Sequence, residues 1–233
     1  MSSPTALVTG ASRGLGRALA TALADRGWRL VVDGRDRARL TAAAAALPHS
    51  ELVTAVAGDV ADPQHRAALA SAVGPRLDLL VNNASDLGPS PLPPLAELEP
   101  DEFRRVLTVN AVAPLALVQA VLPALRSARG TVVDISSDAA VEAYAGWGGY
   151  GASKAALDQL TAVLAVEHPE LRVYAVDPGD MATDMHQAAF PGEDISDRPA
   201  PETVVPALLT LLDGDLPSGR YRATELIPAG TAR

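Results

Sequence analysis

Residues 6–16 read Ala6-Leu7-Val8-Thr9-Gly10-Ala11-Ser12-Arg13-Gly14-Leu15-Gly16, a short apolar run, then a glycine-rich turn, then the helical spacing of Leu15 to Arg26. Strand, turn and helix in that order make half of a strand–helix–strand unit. Glycines here allow a tight turn and close approach of a phosphate, whose charge meets the N–H groups that open the helix. The alternation continues through Leu30-Val31-Val32, Arg37 to Ala46, Leu52 to Val56, Gln64 to Val73 and Leu77 to Val81. A long helix from Asp101 to Arg126 follows, which Pro114 should kink or divide. Then come a strand at Thr131 to Ser136, a helix at Tyr150 to Glu167 and a strand at Leu171 to Val176. Thr203 to Leu212 reads as a short apolar helix kinked at Pro206, and Arg220 to Leu226 as a last strand.

Parallel strands need crossover helices, and both faces of a parallel sheet must be covered. The pattern therefore predicts an α/β fold, a Rossmann-like doubly wound parallel sheet of about seven strands flanked by helices. No repeat or linker divides the chain, so residues 1–233 are expected to form one domain. Residues 180–201, with prolines at 191, 199 and 201 and no period, are expected to be a surface loop.

Two other motifs overlap the glycine turn. Gly10-Ala11-Ser12-Arg13-Gly14 matches the nucleophile elbow of α/β-hydrolases, but that elbow needs earlier strands to build an oxyanion hole and only one strand precedes Ser12. An ATP-binding loop would end in Gly-Lys-Ser/Thr, and the only lysine is the distant Lys154. At the end of the second strand an acid would bind a ribose 2′-OH and an arginine a 2′-phosphate. Asp33-Gly34-Arg35 offers both, and Arg13 adds a second guanidinium, so NADP(H) is preferred while Asp33 keeps NAD(H) open.

Composition removes whole classes of function. A net charge of −9 repels nucleic-acid phosphates and anionic membrane surfaces. Zero cysteines exclude disulfides, thiolate metal sites and a cysteine nucleophile, and no metal site is expected. With no long uninterrupted apolar run and no leader pattern at its start, the chain is expected to be cytoplasmic. Besides the single Lys154, asparagine occurs only at Asn82, Asn83 and Asn110. A chain so averse to both types keeps them where nothing else serves.

Tyr150-Gly151-Ala152-Ser153-Lys154 opens a helix, and the i, i+4 spacing sets phenol and ammonium on one face. A free tyrosine, with a pKa near ~10, shuttles protons poorly at neutral pH, whereas an adjacent cation favours the phenolate.

With these pieces in view, the sequence resembles the short-chain dehydrogenase/reductase superfamily over nearly its whole length. The matching motifs are Thr9-Gly10 through Gly16, Asp59-Val60, Asn82-Asn83-Ala84, Asn110, Ser137, Tyr150 with Lys154, and Pro178-Gly179 with Thr183. The resemblance implies that Tyr150 gives or takes the proton of a carbonyl/alcohol oxygen, that Lys154 lowers its pKa and holds the nicotinamide ribose, and that Ser137 binds the same substrate oxygen. It implies that Asn110 holds a relay water. It also implies that Asp59 and Val60 meet the adenine, Asn82 and Ala84 the adenosine ribose, and Thr183 the carboxamide, while Gly10, Ser12, Arg13, Gly14, Leu15, Gly16, Arg35, Pro178 and Gly179 complete the cofactor site. Asn82 could instead simply tie strands together.

The family's Asn-Asn-Ala-Gly is here Asn82-Asn83-Ala84-Ser85, so a Cβ stands where backbone normally lies beside the cofactor. The stretch after Arg220-Tyr221-Arg222 also departs from the family's glycine-rich tail. Tyr144, Trp147, Met185 and Phe190 are expected to line an apolar substrate pocket that residues 180–201 close as a lid, with His186 at its rim. The function implied is NADP(H)-dependent ketone or aldehyde reduction, the alternatives being a redox sensor without turnover or an epimerase or dehydratase on the same fold. A homodimer or homotetramer, paired through the two long helices, is expected.

Overall fold

Ala6, Leu7 and Val8 are solvent-free because the first strand, β1 (Thr5–Val8), lies inside the sheet between β2 (Arg29–Gly34) and β4 (Leu79–Asn82). The computed structural model describes residues 3–226, and the stretch compared above with the family's glycine-rich tail lies partly outside them. β3 (Val53–Ala57), β5 (Thr131–Ile135), β6 (Arg172–Asp177) and β7 (Gly219–Arg222) complete a seven-stranded sheet in the order β3-β2-β1-β4-β5-β6-β7, with every pairing parallel. The order reverses between β1 and β4, which opens a crevice at the carboxyl ends of the strands.

Alternate side chains of each strand feed two cores. Ala6, Val8, Leu30 and Val176 face α1 (Gly14–Asp25) and α8 (Val205–Asp213), whereas Leu7, Leu80, Val132 and Val173 face α3 (Pro63–Val73) and α5 (Ala113–Ala128). Leu15, Leu19 and Leu23 supply the buried stripe of α1 at four-residue spacing. Asp36 and Asp62 start α2 (Arg37–Ala45) and α3 by accepting N–H bonds from Arg39 and Gln64.

The expected division of the long helix is present, and it lies just before the proline. α4 (Pro100–Leu107) passes through a π turn at Thr108–Val112 into α5, and Pro114 falls in the first turn of α5. The wider turn absorbs the missing proline N–H, so the irregularity sits at Asn110 rather than at the proline. The run Pro100–Ala128 is long and apolar enough to cross a bilayer by length and composition, yet half of its apolar window is buried in the fold. Pro206 likewise falls in the first turn of α8 and kinks nothing. The expected last strand stops at Arg222, and Ala223–Leu226 forms the short helix α9. α6 (Gly148–Glu167) begins two residues before Tyr150, and the stretch read as an aperiodic loop holds a helix, α7 (Asp184–Ala189), capped by the Thr183 hydroxyl.

At the centre of the sheet Asn82 of β4 lies opposite Asp134 of β5, and its amide donates to the Asp134 carboxylate at 2.7 Å while Thr161 of α6 donates to the other oxygen at 2.6 Å. Burial pushes the Asp134 carboxyl up, and these two donors oppose that. Asn82→Ala leaves one buried carboxylate oxygen without its donor and should cost about 1–3 kcal/mol of unfolding free energy, read by urea denaturation.

Candidate active site

The turn after β1 is laced to the turn after β4. The Thr9 hydroxyl accepts from the backbone N–H of Asn83 and Ala84, and the Asn83 amide donates back to the carbonyls of Thr9 and Gly10. Gly10 (φ 66°) and Gly14 (φ 55°) take left-handed backbone, which a side chain would strain. Gly16 serves packing: a Cβ there would lie 2.5 Å from the Asn83 amide nitrogen and 2.6 Å from the Gly10 carbonyl oxygen. The residue before α1, Arg13, makes no side-chain cap, so the first-turn N–H groups have no side-chain acceptor and suit an anion.

A cavity of ≈ 940 Å³ runs along the strand ends from Arg35, Asp59 and Val60, over Gly10, Ser12, Gly14 and Leu15, to Ser137, Tyr150 and Lys154. Pro178, Gly179, Thr183 and Met185 wall its far side, and Ala84 its floor. Three expected cofactor or relay residues do not line it. Asn82 is spent on Asp134, Gly16 lies behind the turn, and Asn110 is fully buried. The Asn110 side chain is saturated: Oδ1 accepts from the Asp86 N–H at 2.7 Å and the Ser85 hydroxyl at 3.2 Å, and Nδ2 donates to the Asp86 carbonyl at 2.8 Å and the Ser153 hydroxyl at 2.9 Å. Its side chain has no capacity left for a relay water, so a water at Asn110 would have to use the backbone carbonyl.

Of the aromatic set, only Trp147 joins the cavity wall. Its ring centroid lies 5.7 Å from that of Tyr150 and 5.9 Å from that of Phe190, which packs behind it. Tyr144 is turned outward because its hydroxyl donates to Glu142 and Asp138 at the surface. The His186 ring lies 4.9 Å from that of Phe190, tilted by 42°, and lines the cavity.

Asp33 does not present a free carboxylate. It is buried, accepts the Gly10 N–H at 2.6 Å and meets the buried His65 ring at 3.0 Å, so both oxygens are engaged inside the fold. Arg35 is exposed beside it, and Arg13 and Arg39 both meet Asp184 of α7, Arg39 at 3.7 Å. Sequence reading did not single out His65 or Asp184, and it gave Asn83 no role of its own. The rarity of asparagine marks Asn83, but no local pattern pairs His65 with Asp33 or Asp184 with Arg13.

Lys154 is 2% exposed, and its ammonium donates to the Ile135 carbonyl at 2.7 Å. Burial pushes it down to about 8, against the pull of Asp134 and Asp158. Tyr150 moves opposite to the sequence expectation: burial pushes its phenol up to about 12, only partly offset by the Ser85 and Ser137 hydroxyls. The ammonium, 5.6 Å from the ring centroid and bonded to Ile135, does not overcome the loss of water around the phenol. The Ser137 hydroxyl donates to Asp138 at 3.0 Å and lines the same cavity as the phenol. Two hydroxyls thus converge at one cavity wall, backed by a buried cation, an arrangement able to hold a substrate oxygen and give it a proton.

A family model described as short chain dehydrogenase matches residues 4–194. The chain belongs to the short-chain dehydrogenase family. This dehydrogenase is 34% identical over 221 residues to the uncharacterized oxidoreductase YciK of Escherichia coli, covering 90% of this chain and 86% of that protein. It is 37% identical to L-xylulose reductase of Bos taurus, over 79% of this chain and 75% of the relative. A solved short-chain dehydrogenase from Shigella flexneri, complexed with NADP, superposes with a TM-score of 0.86 at 32% identity, covering 95% of this chain and 97% of that one. The protein is an oxidoreductase of this family.

Because Lys154 titrates lower in the fold than its ordinary 10.5, the unfolded chain binds the extra proton between about pH 8 and 10.5, and the fold gains stability across that window as pH rises. Wild type should gain up to about 3 kcal/mol relative to Lys154→Met between those pH values, measured by urea unfolding at each pH. A pH-independent difference would count against a buried, depressed ammonium.

Proposed function

We propose that this dehydrogenase reduces a ketone or aldehyde with NADP(H), reversibly, with Tyr150 as proton donor. The observation that carries the reading is the meeting of Ser137, Tyr150 and the buried Lys154 at one end of the cavity whose other end is the glycine turn. The turn fits a dinucleotide: left-handed glycines, helix N–H groups without a side-chain cap and a crevice where the strand order reverses.

NADPH, when bound, supplies the hydride. The first-turn N–H groups of α1 would hold the pyrophosphate, Asp59 and Val60 the adenine, and Thr183 the carboxamide. Arg35, Arg13 and Arg39 would hold a 2′-phosphate, Arg13 and Arg39 leaving Asp184 to do so. The engagement of Asp33 with Gly10 and His65 supports NADP(H) over NAD(H), since no free acid remains to hold a 2′-OH. The NADP complex of the Shigella relative points the same way.

Lys154 has two ammonium protons beyond the one given to Ile135, enough for ribose hydroxyls. Ser137 would hold the substrate oxygen while Tyr150 donates to it. A phenol held above its ordinary value keeps its proton at neutral pH, which suits the acid of a reduction. Trp147 and Met185 offer an apolar wall for the rest of the substrate, with residues 180–201 as a covering lid. Exposed Val112 beside α5, and Val163 and Val166 on α6, support pairing of copies through these helices.

Against a carbonyl panel, Tyr150→Phe should lower NADPH oxidation on the order of 10²-fold or more while leaving NADPH binding within about threefold. Full activity in that variant would end the reading. Arg35→Ala should weaken NADPH binding by about tenfold, with NADH binding unchanged, as read by cofactor fluorescence.

A further inference from the structure

We propose that Arg220 is a positioning residue of this enzyme, a guanidinium that holds the Ser137 turn in place against the helix carrying Tyr150 and Lys154. The inference deepens the reductase reading and rests on it. The two hydroxyls of the site come from different elements, Ser137 from the end of β5 and Tyr150 from α6. The β5 ladder reaches the Ser136 N–H, which donates to the Val176 carbonyl of β6 at 2.7 Å, and Ser137 is the first residue beyond it. There the chain leaves the sheet for the 3₁₀ turn Asp138–Ala140. Within that turn the bonds are local: the Ser137 carbonyl accepts from the Ala140 N–H at 3.1 Å, and the Ser137 hydroxyl accepts from the Ala139 N–H at 3.2 Å. They shape the turn without fixing where it stands relative to α6.

Arg220 supplies that tie. It stands on the edge strand β7 opposite Ala175, at the end of a row that crosses the sheet from Asn82 through Asp134 and Ala175. The methyl group of Ala175 leaves the longer side chain room to reach across β6. Its Nη2 donates to the Ser137 carbonyl at 2.9 Å, and its Nε donates to Asp158 Oδ2 at 2.8 Å. Asp158 belongs to α6, one turn beyond Lys154. One guanidinium therefore bonds both catalytic elements, and its planar fork fixes direction as well as distance. Asp177, at the end of β6, lies 3.8 Å from the same Nη2. The Arg220 and Asp158 side chains are only 26% and 15% exposed, so their pair is screened less than a surface pair. Arg220 does not line the cavity, so it reaches the reaction through Ser137 rather than by touching substrate. A misplacement of about 1 Å at a reacting group can cost on the order of 10²-fold in rate. Without the guanidinium the Ser137 turn keeps its internal bonds and loses its tie to α6, while the glycine-turn end of the cavity is untouched.

A double-mutant cycle with Ser137 separates positioning from general support of the fold. Arg220→Met should lower kcat for carbonyl reduction about tenfold while NADPH binding stays within about twofold. Arg220→Lys, which keeps the charge but not the fork, should fall between the two and serves in the cycle if Arg220→Met does not fold. In a Ser137→Ala background no hydroxyl is left to misplace, so adding the Arg220 substitution should change the residual rate by less than about twofold. A purely structural loss would lower the rate by the same factor in both backgrounds. The proposal is overturned if both folded Arg220 variants keep the wild-type kcat, or if the factor is the same with and without the Ser137 hydroxyl. Wild type that turns over no carbonyl would overturn the reductase reading and the proposal with it, whereas active wild type with equal factors overturns the proposal alone.

Discussion

The fold accepts one expensive feature, the burial of the only lysine ammonium beneath the only tyrosine on the cavity wall. A lone ammonium taken out of water costs several kcal/mol, and a single carbonyl bond to Ile135 returns only part of that. A structural helix would gain by placing leucine or methionine there. The surroundings are arranged around the charge instead. β5 supplies the Ile135 carbonyl and the Asp134 carboxylate, while α6 supplies Asp158, one turn beyond Lys154. Asp158 is itself held by Arg220 of β7 at 2.8 Å, so the field at Lys154 reaches across to the sheet edge.

That cation has an unexpected balance with its phenol. Proximity alone predicts an acidified tyrosine, but both groups have lost their water, and for the phenol this loss outweighs the attraction. In the reduction proposed above, such a phenol would be a protonated donor whose conjugate base needs stabilising as it forms. Hydroxyls can do this without repelling the neutral phenol, because a hydroxyl turns from acceptor to donor as charge appears. Ser137 on the same cavity wall is of this kind, whereas a fixed ammonium bonded elsewhere contributes through its field.

Sequence reading recovered what periodicity and glycine spacing encode: the parallel sheet, the turn and the Tyr150–Lys154 face. It misplaced features that depend on three-dimensional neighbours. Pro114 carries a local rule about helices, yet the π turn two residues earlier satisfies that rule before the proline is reached. Asn82, Gly16 and Asn110 belong to motifs that surround a cofactor crevice, but their own contacts show them holding strands, helix and turns together. Asp33 was ambiguous in sequence because its partner His65 lies 32 residues away on α3, and no local pattern connects the two. α7 was missed because six residues without a buried apolar stripe give no periodic signal, and only the Thr183 cap marks its start.

The two sides of the cavity are built from different forces. The Tyr150 side rests on buried strands, on α6 and on the saturated Asn110, so its groups are fixed by packing and by bonds that water cannot exchange. The opposite side, α7 and its flanking loop, has no buried residue and is tied to the glycine-turn side through exposed ion pairs of Asp184 with Arg13 and Arg39. Exposed pairs are worth little and are readily exchanged for other anions. α7 also packs Met185, Ala188 and Ala189 against the cluster of Leu87, Ala139 and Tyr150, so the two sides of the cavity share one apolar contact besides the exposed pairs. What an anion can exchange at the exposed edge is therefore the pairing of Asp184 with Arg13 and Arg39, while the apolar contact of α7 with the Tyr150 cluster stays in place.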